Sequence, residues 1–169
     1  MESAIKFDAP LGLSLKLMTA LSVFVLVGVS VLGLCVGPRG NVAWIASMVV
    51  IPLRIPVIAV FFMIRGYIVT PQKLLVQRLC WNDELHLKNL LSVEFDPEAM
   101  KRSFRAFGNG GLFCFAGKFY GEKLGFYRAF ATAPDLAVVL KFTDRIIVVT
   151  PDNPEAFVNA LQRLVSNLA

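Results

Sequence analysis

Hydrophobic and polar positions follow two different periods along the chain, and the change comes near residue 66. Ahead of it, residues 17–36 carry no charge, and a second apolar run over 42–64 carries only Arg54. Twenty apolar residues in a helix span about 30 Å, the thickness of a hydrocarbon layer, so these runs predict a two-helix transmembrane hairpin. Beyond residue 66 the pattern alternates with a period of two, and turn signals recur every 8 to 12 residues. The predicted strands cover 67–69, 73–79, 84–87, 91–95, 112–120, 126–131, 136–142 and 146–150. Separators such as Trp81-Asn82-Asp83, Gly108-Asn109-Gly110-Gly111 and Ala133-Pro134-Asp135 have turn chemistry. A single amphipathic helix closes the series, with Asn153 as N-cap, Pro154 at the first helical position and Phe157, Leu161, Leu164, Val165 and Leu168 on one face.

The expected fold class is therefore α+β: the hairpin, then an antiparallel β-barrel or sandwich capped by a C-terminal α-helix. The domain boundaries read as an N-terminal cytoplasmic segment 1–16, a hairpin 17–64 and a β-rich domain 66–169. Small barrels bury a core in about 100 residues without long open edges.

Composition agrees with this division. A hydrophobic share of 56% and a mean hydropathy of +0.65 exceed those of an ordinary soluble domain, and the first 66 residues hold the excess. A cleaved signal peptide fits the first run poorly, because its apolar stretch is about twice the usual length and a second one follows. Leu32-Gly33-Leu34-Cys35 departs from a lipoprotein cleavage site in the large Leu34. Lys6 and Lys16 precede the first helix, Arg39 alone lies in the Gly37-Pro38-Arg39-Gly40-Asn41 connection, and Arg65, Lys73 and Arg78 follow the second. This bias favours cytoplasmic termini. Gly33 and Gly37 form a small-xxx-small pair suited to helix packing.

Together, the two helices, the entry Tyr67-Ile68-Val69-Thr70-Pro71-Gln72-Lys73-Leu74, the segment Leu85-His86-Leu87-Lys88-Asn89-Leu90 leading to Val93-Glu94, and the terminal Pro151-Asp152-Asn153-Pro154-Glu155-Ala156-Phe157 carry a resemblance. In that order they resemble the membrane-anchored bacterial pleckstrin-homology-like domain proteins. Arg105-Ala106-Phe107-Gly108-Asn109-Gly110-Gly111-Leu112-Phe113, with Gly117 and Phe119, is similar to one branch of that family. The resemblance implies seven strands in two near-orthogonal sheets with a capping helix, at the bacterial inner membrane. The basic pattern by which eukaryotic relatives hold phosphoinositides is not matched by Lys73 to Arg78, so that ligand is not implied.

Candidate chemistry is sparse. His86 is the one histidine, placed outward by its neighbouring leucines. No nucleophile–base pair, paired carboxylates or phosphate loop can be assembled, so no enzymatic role and no cofactor are expected. Cys35, Cys80 and Cys114 are odd in number and widely spaced, which reads as buried thiols rather than a disulfide or metal clip. Past residue 66 the charge is only +2, from 12 Lys/Arg and 10 Asp/Glu, and nucleic acid is not expected as a partner.

Two places remain. Pro52-Leu53-Arg54-Ile55-Pro56 sets a charge between two prolines at mid-span, predicting a kinked or unwound stretch whose free carbonyls accept from Arg54. The plain reading is local bonding or snorkelling; the functional one is an accessory subunit pairing Arg54 with a transporter or synthase. The second place is 101–127, where Lys101, Arg102, Arg105, Lys118 and Lys123 interleave with eight aromatic residues against Glu122 alone. Phe113, Phe115 and Phe119 share a strand face that reads as core. Gly108, Asn109, Gly110 and Gly111 beside Arg102 and Arg105 form a candidate anion-binding loop, the alternative being a long hairpin turn with solvated charges. The expected function is a membrane-tethered binding or scaffold module contacting lipid headgroups, a protein partner or a second copy of itself.

Overall fold

In a computed structural model of the protein, residues 4–38 and 40–168 are described, the side chains of 165–168 excepted. Arg39 and the apolar positions Val165 and Leu168 expected on the last helix lie outside the described residues or side chains.

The helices are α1, Leu13–Val36, and α2, Val42–Phe61, both long and apolar enough to cross a membrane. Their seam runs over small residues. A Cβ at Gly33 would stand 2.8 Å from the Met48 Cβ, and the Trp44 indole lies where a Gly37 side chain would be, donating Nε1–H to the Gly33 carbonyl at 3.0 Å. Ser30 Oγ donates to Leu26 O at 2.9 Å and reaches Val49 O at 3.4 Å across the seam. The helix does not unwind around Arg54. Ile51–Phe61 stays α-helical through Pro52 and Pro56, and the irregularity is a wide π turn one turn earlier, at Ala46–Val50. Pro52 has no N–H for the carbonyl four residues back, and the wider turn before it absorbs that lost bond.

Among the described residues the strands are β1 Ile5–Asp8, β2 Ile64–Val69, β3 Lys73–Arg78, β4 Asn82–His86, β5 Leu90–Phe95, β6 Ser103–Gly110, β7 Phe115–Gly121, β8 Gly125–Ala131, β9 Val138–Phe142 and β10 Ile146–Val149. The helix α3, Pro154–Leu168, ends the chain, and its N-cap is the expected one: Asn153 Oδ1 accepts from Ala156 N at 3.1 Å. One sheet runs β1-β2-β3-β4 and the other β5-β9-β10-β8-β7-β6. They face each other as a sandwich and do not close into a barrel. Ladders are antiparallel except β8 with β10, which run parallel with Ile147 opposite Arg128.

Between the sheets, Ile64, Tyr67, Leu74 and Val76 meet Phe130, Leu140, Ile147 and Val149, all at most 1% exposed, and α3 closes the open end with Phe157 and Leu161. Phe157 meets Phe7 edge-on at 5.1 Å, so the N-terminal strand joins the same core. A second, smaller cluster lies on the other face of the larger sheet, where Ala99 and Met100 cover Phe119, Tyr127, Ala129 and Val139.

Two strands depart from the sequence reading. Residues 5–8, expected within the N-terminal cytoplasmic segment 1–16, pair with β2 from Ile5↔Val69 to Asp8↔Gly66. Residues 108–110, expected in a loop, end β6, and Gly108 lies opposite Gly117. Both glycines have φ in the left-handed half (+115° and +142°), and a Cβ on either would come within 2.3 Å of a carbonyl oxygen on the facing strand. Close approach of two strands requires these glycines, rather than a turn.

Candidate functional site

The joint between the helices and the sheets is built around Arg78. Its position in β3 continues the inward series Leu74 and Val76, and its side chain is only 6% exposed. Nε donates to Asp83 Oδ2 at 2.6 Å, and Nη1 donates to the carbonyl of Phe62, just past the end of α2. The guanidinium also stands 5.6 to 6.0 Å from the rings of Phe62, Trp81 and Phe130. A cation at a helix C-terminus meets the negative end of the dipole and free carbonyls. The Cys114 thiol donates to the same Phe62 carbonyl at 3.3 Å. Burial pushes this thiol up to about 11, with Arg78 opposing. Cys114 is therefore a structural, unreactive thiol.

A second polar cluster ties the sheets together. Tyr67 Oη donates to Phe130 O at 2.6 Å and accepts from Thr150 N at 3.1 Å, while Thr150 Oγ1 accepts from Thr132 N at 2.8 Å. Thr132 O in turn accepts from Gly12 N at 3.0 Å, at the start of α1. Burial pushes the Tyr67 phenol up to about 12 although its bonds to Thr150 oppose the rise.

The outer strands β6, β7 and β8 present the opposite arrangement, apolar groups in the open. Their pairing brings Phe104, Tyr120 and Phe126 into one row, with ring centroids 5.4 Å and 4.9 Å apart. Phe104 is 64% exposed, Phe126 72%, and Phe107 on the next row 78%. Lys118 and Arg128, both exposed, share the row of Phe107. Side chains alternate across a strand, so Phe119 and Tyr127 turn into the second core while these turn out. The aromatic row lies near the Ser103 and Gly121 end of the strands. The opposite end, the β6–β7 turn, is bound to α1: Thr19 Oγ1 donates to Gly111 O and accepts from Phe113 N, each at 3.1 Å. Six residues of strand separate Phe104 from Gly110, about 20 Å.

The sequence-predicted anion loop is not assembled. Gly108, Asn109 and Gly110 are paired to β7, and Gly111 N donates to Cys114 O at 3.2 Å. Asn109 closes the turn onto Leu112, its Oδ1 accepting from Leu112 N at 3.1 Å and its Nδ2 donating to Leu112 O at 2.6 Å. Arg105 Nη1 donates to Gly108 O at 3.1 Å, whereas Arg102 stands at the far end of β6 and pairs with Glu122 at 3.4 Å. Gly111 N and the Asn109 side chain are thus spent within the turn, and the two arginines are separated. Of the expected core phenylalanines, Phe119 is buried, Phe115 is half-buried, and Phe113 lies in the turn with φ +63°. Arg54, between Pro52 and Pro56, is exposed on the surface of α2 and has no hydrogen bond or ion pair among the described residues.

Two facing sheets capped by one C-terminal helix have a counterpart among known families. A family model described as a bacterial PH domain matches residues 65–165. The chain belongs to that family. No curated protein and no solved structure matches it. The PH domain match takes in the exposed aromatic row, and the helices and β1 precede it. Among the described residues, no group of three or more His, Cys, Asp or Glu could hold a metal.

Proposed function

We propose that this protein is a membrane-tethered docking module. The helical hairpin crosses the bilayer and holds the PH domain at its cytoplasmic surface, and the β6–β8 face receives an acidic surface of a second protein. Trp44 lies in the first turn of α2, and Trp81 packs on Phe62 just past its end at 5.2 Å. Eighteen residues of helix separate the two levels, about 27 Å, as befits aromatic anchors at two interfaces.

The observation that carries the docking reading is the continuous exposed row of Phe104, Tyr120 and Phe126, joined by Phe107. Contiguous exposed aromatic groups mark interaction sites, and the cations beside them fit an acidic partner. Phe104, Tyr120 and Phe126 lie about 20 Å of strand away from the turn that touches α1. Arg128, in the row of Phe107, instead lines a recess with Ile55 and Ile58 of α2 and Phe62 just past its end, so adducts at position 107 decide between a protein and the lipid surface. To test this, Phe107 is replaced by a photoreactive phenylalanine in the full chain and irradiated in native membranes. The expected product is a protein adduct of discrete mass that is absent when the probe replaces Leu91, which is 67% exposed on β5. Lipid adducts, or equal labelling at both positions, would overturn the reading.

A second reading rests on Arg54, whose unpartnered guanidinium faces outward from α2 with no acid in either apolar run. In hydrocarbon such a charge costs at least about 2.5 kcal/mol, which pairing with a membrane subunit would offset. An Arg54→Leu variant that assembles with the same membrane partners as the parent, in native gels of mild detergent extracts, sinks it.

A further inference from the structure

The first sheet carries a polar recess of about 260 Å³ at the end where both helices enter it, lined by Lys6, Asp8, Arg65, Gln77 and Arg78. It is smaller than the roughly 300–1,000 Å³ of a drug-sized site and suits a headgroup-sized ligand. Asp8 precedes α1 by five residues and Arg65 follows α2 by four, so the recess lies at the level where the apolar hairpin ends. Local backbone keeps it open. Asp8, Gly66 and Gln77 lie in one row across β1, β2 and β3, and a Cβ at Gly66 would meet Phe7 O at 2.7 Å. Arg65 occupies the bulge between Ile64 and Gly66, which brings it to the same recess as Gln77.

Apart from Arg78, the charges there are little used by the fold. The Arg65 guanidinium is exposed, and neither it nor the Gln77 amide has a hydrogen-bond partner among the described residues. Lys6 Nζ stands 3.9 Å from Asp8 Oδ1, with both side chains more than 60% exposed, a pairing of little worth in water. Arg78 is committed elsewhere, to Asp83 and Phe62. The recess therefore offers one cation without a partner, Arg65, a second, Lys6, held only by its loose exposed pairing with Asp8, the Gln77 amide and one carboxylate.

We propose that this recess binds the headgroup of a phospholipid carrying both a phosphate and a primary ammonium, the phosphoethanolamine class. The phosphate engages Arg65 and Lys6, with the Gln77 amide donating to it, and the ammonium engages Asp8. A purely anionic headgroup would leave Asp8 facing a like charge, and a quaternary ammonium would offer it no N–H donor. The inference rests on the hairpin crossing the bilayer and is independent of the docking face on β6–β8.

The test uses the full chain in nanodiscs of phosphatidylcholine containing equal parts of phosphatidylethanolamine and phosphatidylglycerol, with retained lipid counted by native mass spectrometry. The expected result is retention of phosphatidylethanolamine about fivefold above phosphatidylglycerol. Asp8→Asn is expected to reverse that preference, and Arg65→Ala with Lys6→Ala to abolish retention of both. Retention that follows bulk composition, or an Asp8→Asn protein with an unchanged ratio, would overturn the proposal. A further arm adds free glycerophosphoethanolamine. Retention undiminished by it supports a lipid site, whereas displacement at low concentration would assign the recess to a soluble ligand and overturn the lipid one. Photo-crosslinking at position 107 reads neither outcome, so failure here leaves the docking reading standing and the reverse.

Discussion

The joint at Arg78 and the outer face of β6–β8 invert the ordinary placement of side chains in opposite ways. At the joint, a guanidinium, a phenol and two threonines are buried, and each has a partner: Asp83 and Phe62 O for Arg78, and Phe130 O and Thr150 for Tyr67. On the outer face, phenylalanines are in the open, and Phe104 and Phe126 each meet the ring of Tyr120. Buried polar groups with their bonds made hold a fold in one arrangement, whereas exposed aromatic groups do nothing for the isolated fold. The first region explains how the hairpin and the sandwich form one unit. In the proposed function, the second is the part of the PH domain that receives a partner.

Substitutions should separate the two regions, and the largest effect is expected at the joint. Arg78→Met leaves Asp83 without its donor and the Phe62 carbonyl with the Cys114 thiol alone. Breaking a fully buried pair costs about 3–5 kcal/mol, and with Asp83 28% exposed the loss is expected at the lower end, about 3 kcal/mol. Thermal unfolding of the purified full chain should show that loss, together with faster proteolysis between α2 and β2. A parent-like melting curve would remove Arg78 from the joint.

A smaller loss is expected at Tyr67, and it depends on pH. Its phenol is raised to about 12 from 10.0, so the folded state holds its proton more tightly than the unfolded chain. The associated stability is fully present below pH 10 and is lost as pH rises toward 12, about 2–3 kcal/mol in all. Tyr67→Phe should flatten that alkaline decline in denaturant titrations. A decline of the same size in the variant would assign it to other groups.

Much of this architecture is legible in the residues, and the exceptions have physical causes. The apolar runs are legible because their length and scarcity of charge set them apart from every later segment. The strands from 67 onward, β6 apart, are legible because one face of each is covered. β1 is only four residues long, and its partner β2 comes 56 residues after its last residue, so no local pattern announces it. β6 is masked by the bulge between Arg105 and Phe107, which breaks the alternation, and by glycines that read as a turn. In the sequence Arg78 reads as a positive charge after the second helix, and its parity with Leu74 and Val76 is the signal that it points inward. The exposed row is hidden for a related reason: alternation separates Phe119 from Tyr120 without telling which faces are covered. Only the second cluster under Ala99 and Met100 decides that for Phe119.

The smallest expected effect on stability is also the most direct test of the account. Phe104→Ser combined with Phe126→Ser removes two exposed rings, and surface changes of this kind stay within about 0.5 kcal/mol each. The double variant, carrying the photoreactive residue at position 107, should melt as the parent does and lose the protein adduct in native membranes. An undiminished adduct would contradict the docking role of this face, and a collapse of thermal stability would show that the row belongs to the core of the fold.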